Sequence, residues 1–259
     1  MLDSIREIYK YSELFSHLVT LDLRQRYRGS VLGVLWSLLN PLLLMVVMWA
    51  VFSQIARAPD EESYALYLFS GLIVWLFFSQ CIERSLTAIL SNAGLMRTVY
   101  IPKLIFPLAI VGANLINLIF FLLAYLLLVF PAGHYIPGTI VLLPIPLLMA
   151  TILATGGALF MSAATVFFRD LSHLTGTLLR ALFYLTPVFY KVSMFGPKAE
   201  FILRFNPVFY PVVTTRDVLY YGTLPNMSDT LVGFGYALVI LWLGITVFNK
   251  SKENFLYFS

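Results

Sequence analysis

The chain has 259 residues, 60% of them hydrophobic and 12% charged, against about a quarter charged in an average soluble domain. That balance excludes an ordinary soluble enzyme, and a net charge of +4 gives no reason to expect a nucleic-acid partner. The single cysteine, Cys81, excludes an intramolecular disulfide and a cysteine-based metal cluster.

Residues 3 to 28 read as an amphipathic helix on a membrane surface. Arg6, Lys10, Glu13, His17, Arg24 and Arg28 recur at spacings of three, four or seven, while Ile5, Ile8, Phe15 and Leu18 mark the opposite face. No short apolar core with a small-residue cleavage site occurs in the first 30 residues, so no removable signal peptide is expected. Five stretches then lack Asp, Glu, Lys and Arg altogether: 31–56, 64–82, 104–130, 139–168 and 230–248. Each is long enough, at ~20 residues, to cross a hydrocarbon core as a helix. A sixth, 171–190, has the same character but carries His173 and Arg180.

Within these spans, Asn40-Pro41 removes a backbone hydrogen bond near the middle of the first and predicts a kink. The second is apolar to Ile82 and meets Glu83 and Arg84 at its end. The connector 92–103 is too polar to span, and reads as a plain link or a short projecting helix. Pro144 and Pro146 disturb the start of the fourth span, whose regular helix is expected from about Leu147 to Phe168. Gly156-Gly157 and the small residues at 162–164 suit close helix packing. Arg180 in mid-span costs ~2.5–3.5 kcal/mol unless it faces water, a partner or the interface. Residues 191–225 hold apolar pieces too short to span and rich in Pro and aromatics, as in broken or re-entrant helices buried against protein.

With six spans and an internal N-terminus, the inner segments hold Arg6, Lys10, Arg24, Arg26, Arg28, Arg84, Arg97, Lys103, Arg169, Lys250 and Lys252. The outer segments hold Arg57, Lys191, Lys198, Arg204 and Arg216, four of them in one long segment, so both termini are expected in the cytoplasm. No GxxxxGK[ST] loop, HExxH, CxxC or GxSxG occurs, and the spans lack the carboxylates that an ion-coupled carrier or membrane hydrolase uses. The sequon Asn226-Met227-Ser228 falls on the outer side and is a weak signal. Aromatic residues are the positive clue: most suit lipid belts, while Trp36, Tyr184, Phe189 and Tyr190 are candidates to line a conduit whose flat apolar faces slide past sugar C–H surfaces.

The segment 26-RYRGSVLGVLWSLLNPLL-43 resembles the opening of ATP-binding-cassette type 2 exporter permeases of the polysaccharide and polyol-phosphate family. NAGLMRTVYIPKLIFPL at 92–108, FFRDLSHL at 167–174, TPVFY at 186–190 and NPVFYPVVTTRDVLYYG at 206–222 agree in order, so the resemblance covers nearly the whole chain. It implies an all-α membrane protein, with residues 1–30 as a cytoplasmic interface helix and 31–259 as a six-helix permease domain. It also implies short outer gate helices between spans five and six, where Asn206, Pro207, Tyr210 and Arg216 lie. Two copies would form a channel above two separate ATPase subunits, which would hold the ATP and magnesium, with no cofactor or metal on this chain. Contacts with the ATPase would come from the surface helix, the connector and the 169–173 turn: Arg24, Arg26, Arg28, Leu95, Arg97, Thr98, Arg169 and Asp170. The implied cargo is a lipid-linked polysaccharide crossing a bacterial inner membrane, O-antigen first, with capsule, teichoic acid and small-molecule export as alternatives. Arg180 is a candidate contact for the carrier phosphate, because guanidinium binds such groups bidentately.

Overall fold

The computed structural model describes residues 11–27, 29–30, 32–55, 63–98, 101–130, 133–194, 196–253 and 255. Arg28, and the start of the amphipathic leader with Arg6 and Lys10, lie outside the described residues. Every regular element among the described residues is helical, with ten α-helices and no strand. The long unbroken apolar runs favour this: in an apolar solvent every backbone N–H and C=O must be paired, and a helix pairs them within one segment.

Helix α1 (Ser12–Tyr27) places Phe15, Leu18 and Val19 against Ala109 and Ala113, while Glu13, His17 and Arg24 face outward. The two-faced pattern of the sequence is thus kept. Helix α2 (Trp36–Ile55) follows a 3-10 turn at Gly33–Leu35. Pro41 falls in its second turn rather than its middle, because the regular helix starts at Trp36 and not at residue 31. Helix α3 (Tyr64–Ser85) is the centre of the bundle, with every side chain from Leu66 to Trp75 buried. The short α4 (Ala93–Thr98) occupies the connector, and α5 (Ile105–Val129) returns alongside α3.

Helix α6 (Pro144–Phe167) begins at Pro144, three residues before the expected start. Proline is tolerated in a first turn because the N–H it lacks has no intrahelical partner there. Helix α7 (Leu171–Tyr184) is 14 residues long, so the expected fifth span does not run as one helix to Tyr190. Pro187 explains the stop, since it has no N–H to donate and disfavours helical geometry at Thr186. The short helices α8 (Pro197–Arg204) and α9 (Phe209–Arg216) follow, then a π-turn at Asp217–Tyr221. Gly222 closes that turn at φ +65°, a left-handed conformation that a side chain resists. Helix α10 (Met227–Ser251) starts at Asn226, whose side chain caps it by accepting from Ser228 N at 2.9 Å and Ser228 Oγ at 2.8 Å. The sequon is therefore a helix cap.

Among the described residues four helices are long and apolar enough to cross a membrane: α3, α5, α6 with its preceding 3-10 turn, and α10. Helix α2 is apolar as well, and Val46, Val47, Trp49 and Val51 stand exposed on its outer face. The tightest pairing joins α6 to α10, where backbone meets backbone. A Cβ added at Gly244 would lie 2.2 Å from the Gly156 carbonyl oxygen, and one at Gly156 would lie 2.5 Å from Leu241 N. Small residues allow this approach, which hydrophobic driving force cannot supply in lipid.

Gly244→Ala is expected to lower stability by about 1–3 kcal/mol through overpacking, whereas Gly235→Ala, with open space around it, should be neutral. Thermal unfolding of the purified protein in detergent checks the pair, and equal melting temperatures would refute the close-contact assignment.

Candidate functional site

Charge enters the bundle at the end where α1 lies. Asp22 of α1 pairs with Arg26 at 2.7 Å and with Arg84 of α3 at 2.6 Å, and Arg26 also donates to Asn114 of α5 at 2.9 Å. The Asp22 carboxylate ties α1 to α3, and the Arg26 that it holds ties α1 to α5. The Arg26 side chain is only 8% exposed, so its guanidinium turns into the bundle rather than toward a partner. Beside this cluster lies a cavity of about 340 Å³ lined by Arg26, Trp36, Asn40, Gln80, Glu83 and Asn117 among others. A second cavity, of about 260 Å³, lies between α2, α3 and α7 and is lined by Trp75, Ser79, Glu83, Arg180, Phe183 and Tyr184 among others. Leu44 and Glu83 line both, so the two lie side by side along α2 and α3 and together are called the groove.

Of the expected conduit residues, the structure brings Tyr184, Phe189 and Tyr190 together and leaves Trp36 apart. Phe183 is the hub, with ring centroids 5.3 Å from Trp75, 5.6 Å from Tyr184 and 5.7 Å from Phe189; Tyr190 lies 5.0 Å from Phe189. Trp36 sits nearer α1, where its Nε1 donates to Ser30 Oγ at 3.0 Å. Arg180 is one turn below Tyr184 on α7 and is exposed to the groove, its one hydrogen bond a 3.4 Å contact to Thr177. Sequence reading missed Trp75, Phe183, Ser79 and Glu83. Their spacing along α3 and α7 carries the signal, since Trp75, Ser79 and Glu83 stand on one face at four-residue steps.

At the opposite end the chain leaves helical geometry, and side chains from neighbouring helices take over its carbonyls. Tyr64 donates to Phe189 O at 2.7 Å, Tyr67 to Tyr190 O at 2.8 Å, Tyr125 to Leu219 O at 3.0 Å and Thr139 to Val218 O at 2.8 Å. Asn206 uses its whole amide, donating to Thr186 Oγ1 at 2.8 Å and Leu185 O at 3.3 Å and accepting from Val208 N. Pro207 follows it into α9, where Tyr210 stacks on Tyr236 and donates to Arg204 O at 2.9 Å. Arg204 pairs with Asp229 at 2.6 Å and Glu200 at 3.0 Å, which joins α8 to α10. Burial pushes the Asp217 carboxyl up to about 6, against the pull of the neighbouring Arg216 charge.

Arg216 is the centre of this block. Only 4% exposed, it donates to Pro187 O at 2.7 Å and Val188 O at 2.9 Å, and its guanidinium lies 3.9 Å from the Tyr67 ring centroid. Gly71 makes room, because a Cβ there would lie 2.6 Å from Arg216 Nη2. Arg216 Nε and Thr215 Oγ1 are buried without a hydrogen-bond partner.

The remaining expected contacts lie on the α1 end. Arg24 is exposed on α1, Leu95, Arg97 and Thr98 are exposed on α4, and Arg169 and Asp170 are exposed in the turn between α6 and α7. Among the described residues no group of three His, Cys, Asp or Glu side chains is placed to hold a metal ion.

A bundle of lipid-compatible helices around a charged groove, with a buttressed non-helical block at one end, defines a membrane permease. The chain belongs to the ABC-2 type transporter family, which matches residues 13–220. It is 30% identical over 257 residues to the O-antigen export system permease protein RfbA of Myxococcus xanthus, covering 98% of each chain. It is 28% identical to an RfbA of Klebsiella pneumoniae over 260 residues, covering 97% of this chain and 98% of the relative. The Polysialic acid transport protein KpsM of Escherichia coli is 25% identical over 241 residues, covering 91% and 92%.

Arg216→Met should lower stability by about 2–4 kcal/mol, because two carbonyls and the Tyr67 face lose their cation together. Gly71→Ala should reproduce the loss by displacing the guanidinium. Thermal unfolding with limited proteolysis of 185–196 is the readout, and an unchanged melting temperature in both variants would contradict this role.

Proposed function

We propose that this chain is the membrane-spanning subunit of an ATP-driven exporter that moves a lipid-linked polysaccharide of the O-antigen type out of the cytoplasm. The observation that carries this reading is similarity to O-antigen export permeases along 98% of the chain. The lower identity to a polysialic acid transport protein favours O-antigen over capsule, the second reading. Teichoic-acid and small-molecule export have no such support.

In this reading α2, α3, α5, α6, α7 and α10 are the six spans of a bacterial inner-membrane protein, and both termini are cytoplasmic. Two copies form the channel and two ATPase subunits, which hold ATP and magnesium, dock beneath. Arg24, Leu95, Arg97, Thr98, Arg169 and Asp170 are the docking candidates, being exposed at the α1 end. Helices α8 and α9 serve as the outer gate, with Asn206, Pro207, Tyr210 and Arg216 holding the block that they form with 185–190.

A hydrated glycan cannot dissolve in hydrocarbon, so its path must be walled by protein. The groove supplies what such cargo needs: Arg180 for a phosphate on the carrier, and the Trp75, Phe183 and Tyr184 rings for sugar faces. ATP binding below moves helices at the docking face and so opens the path.

Cysteines at Leu95 or Thr98, in a chain whose Cys81 is replaced, should cross-link to the ATPase subunit. Efficient capture only from positions in 196–204 would overturn the docking assignment.

Arg180→Met should co-purify with its ATPase yet export about tenfold less polysaccharide, the cost of one charge-assisted phosphate contact, with Arg180→Lys intermediate. Surface polysaccharide measured at matched expression is the assay. Normal export by Arg180→Met would sink the phosphate role, and loss of assembly would make the residue structural.

A further inference from the structure

Glu83 stands out among the charged residues of the groove. Asp22 is committed to Arg26 and Arg84, whereas Glu83 makes no hydrogen bond or ion pair among the described residues. Arg180 is equally uncommitted, holding only its long contact to Thr177. Both line the cavity between α2, α3 and α7. The two helices run antiparallel there, with Trp75 against Phe183 at 5.3 Å and Ser79, one turn further along α3, in the same cavity as Arg180. Glu83 lies four residues further along, about 6 Å beyond Ser79, on the side from which cargo would arrive. A long arginine arm on α7 and a carboxylate on α3, both exposed, thus line one open cavity without being paired.

We propose that Glu83 is the exchangeable counter-charge of Arg180. With the path empty, the carboxylate offsets the guanidinium charge across the cavity that both line, without a direct contact. A phosphate on the lipid-linked cargo then displaces it, and the returning carboxylate releases the phosphate as the cargo moves outward. No bond is made or broken; one anion replaces another at a fixed cation. The need for such a group follows from the setting. Asp22, Arg26, Arg84 and Arg180 alone leave the neighbouring cavities with two uncompensated positive charges, and a site that binds a phosphate with no competing anion retains it. Glu83 also lines the cavity near α1, so an incoming phosphate passes it before reaching Arg180. Glu83 is a positioning residue, and its assignment rests on the phosphate role given to Arg180 above.

The test uses the transporter with its ATPase in nanodiscs and a radiolabelled long-chain polyprenyl phosphate as probe. Glu83→Gln should hold the probe about tenfold more tightly while export falls, a split between binding and turnover that a packing defect does not produce. Glu83→Asp should restore release. The double variant Glu83→Gln/Arg180→Met should bind as weakly as Arg180→Met alone. Unchanged retention by Glu83→Gln, or independent effects in the double variant, would overturn the proposal and leave the role of Arg180 standing. Normal retention and export by Arg180→Met would instead remove both. Phosphatidic acid should displace the probe and inorganic phosphate should not; displacement by inorganic phosphate alone would overturn a lipid phosphate as the ligand.

Discussion

A hydrocarbon solvent offers no partner for an unpaired peptide group, and the rest of this structure follows from that constraint. It makes long helices the default. It also explains the density of side chain to backbone bonds where the chain is not helical. Residues 185–190 and the 217–221 turn would leave carbonyls bare, and Tyr64, Tyr67, Tyr125, Thr139, Asn206 and Arg216 each supply a donor to one of them. Tyrosine suits the task because its ring packs as an apolar residue while its hydroxyl reaches a carbonyl. The conduit residues and the block beyond them are therefore held by a common set of bonds.

The same constraint shapes the charges. Near α1 the ion pairs close on themselves, with Asp22 shared by two arginines and Asn114 taking a further donor. Along α7 they do not, and Glu83 and Arg180 face a common cavity unpaired. Closed pairs fasten α1 to α3 and α5. The open charges are the ones that the proposed reading assigns to cargo.

Much of the fold was legible in the sequence because lipid permits so few solutions. Charge-free runs located α3, α5, α6 and α10, and the alternation of charged and apolar residues located the faces of α1. Helix ends were harder to read. Pro144 looked disruptive yet opens α6, and Pro187 ends α7 early; the effect of a proline depends on whether the missing N–H had a partner. The candidate site was only partly legible. Tyr184, Phe189 and Tyr190 are near in sequence and come together, while Trp75, Phe183 and Glu83 join the groove through the register of α3 against α7. Arg26 reads as a surface charge from its place in the leader, and its inward turn depends on Asp22 and Asn114, the latter 88 residues away.

If α7 is the fifth span, as proposed above, its length has a consequence for the surrounding bilayer. Its 14 residues rise about 21 Å, whereas the hydrocarbon layer is about 30 Å thick. The difference must be met by residues 185–190 with their aromatic rings, or by lipids that shorten beside this helix. Hydrophobic mismatch of this kind costs a fraction of a kcal/mol for each ångström. Chain length in the host lipids therefore acts on α7 more strongly than on α5 or α10, whose 25 residues each exceed the membrane thickness.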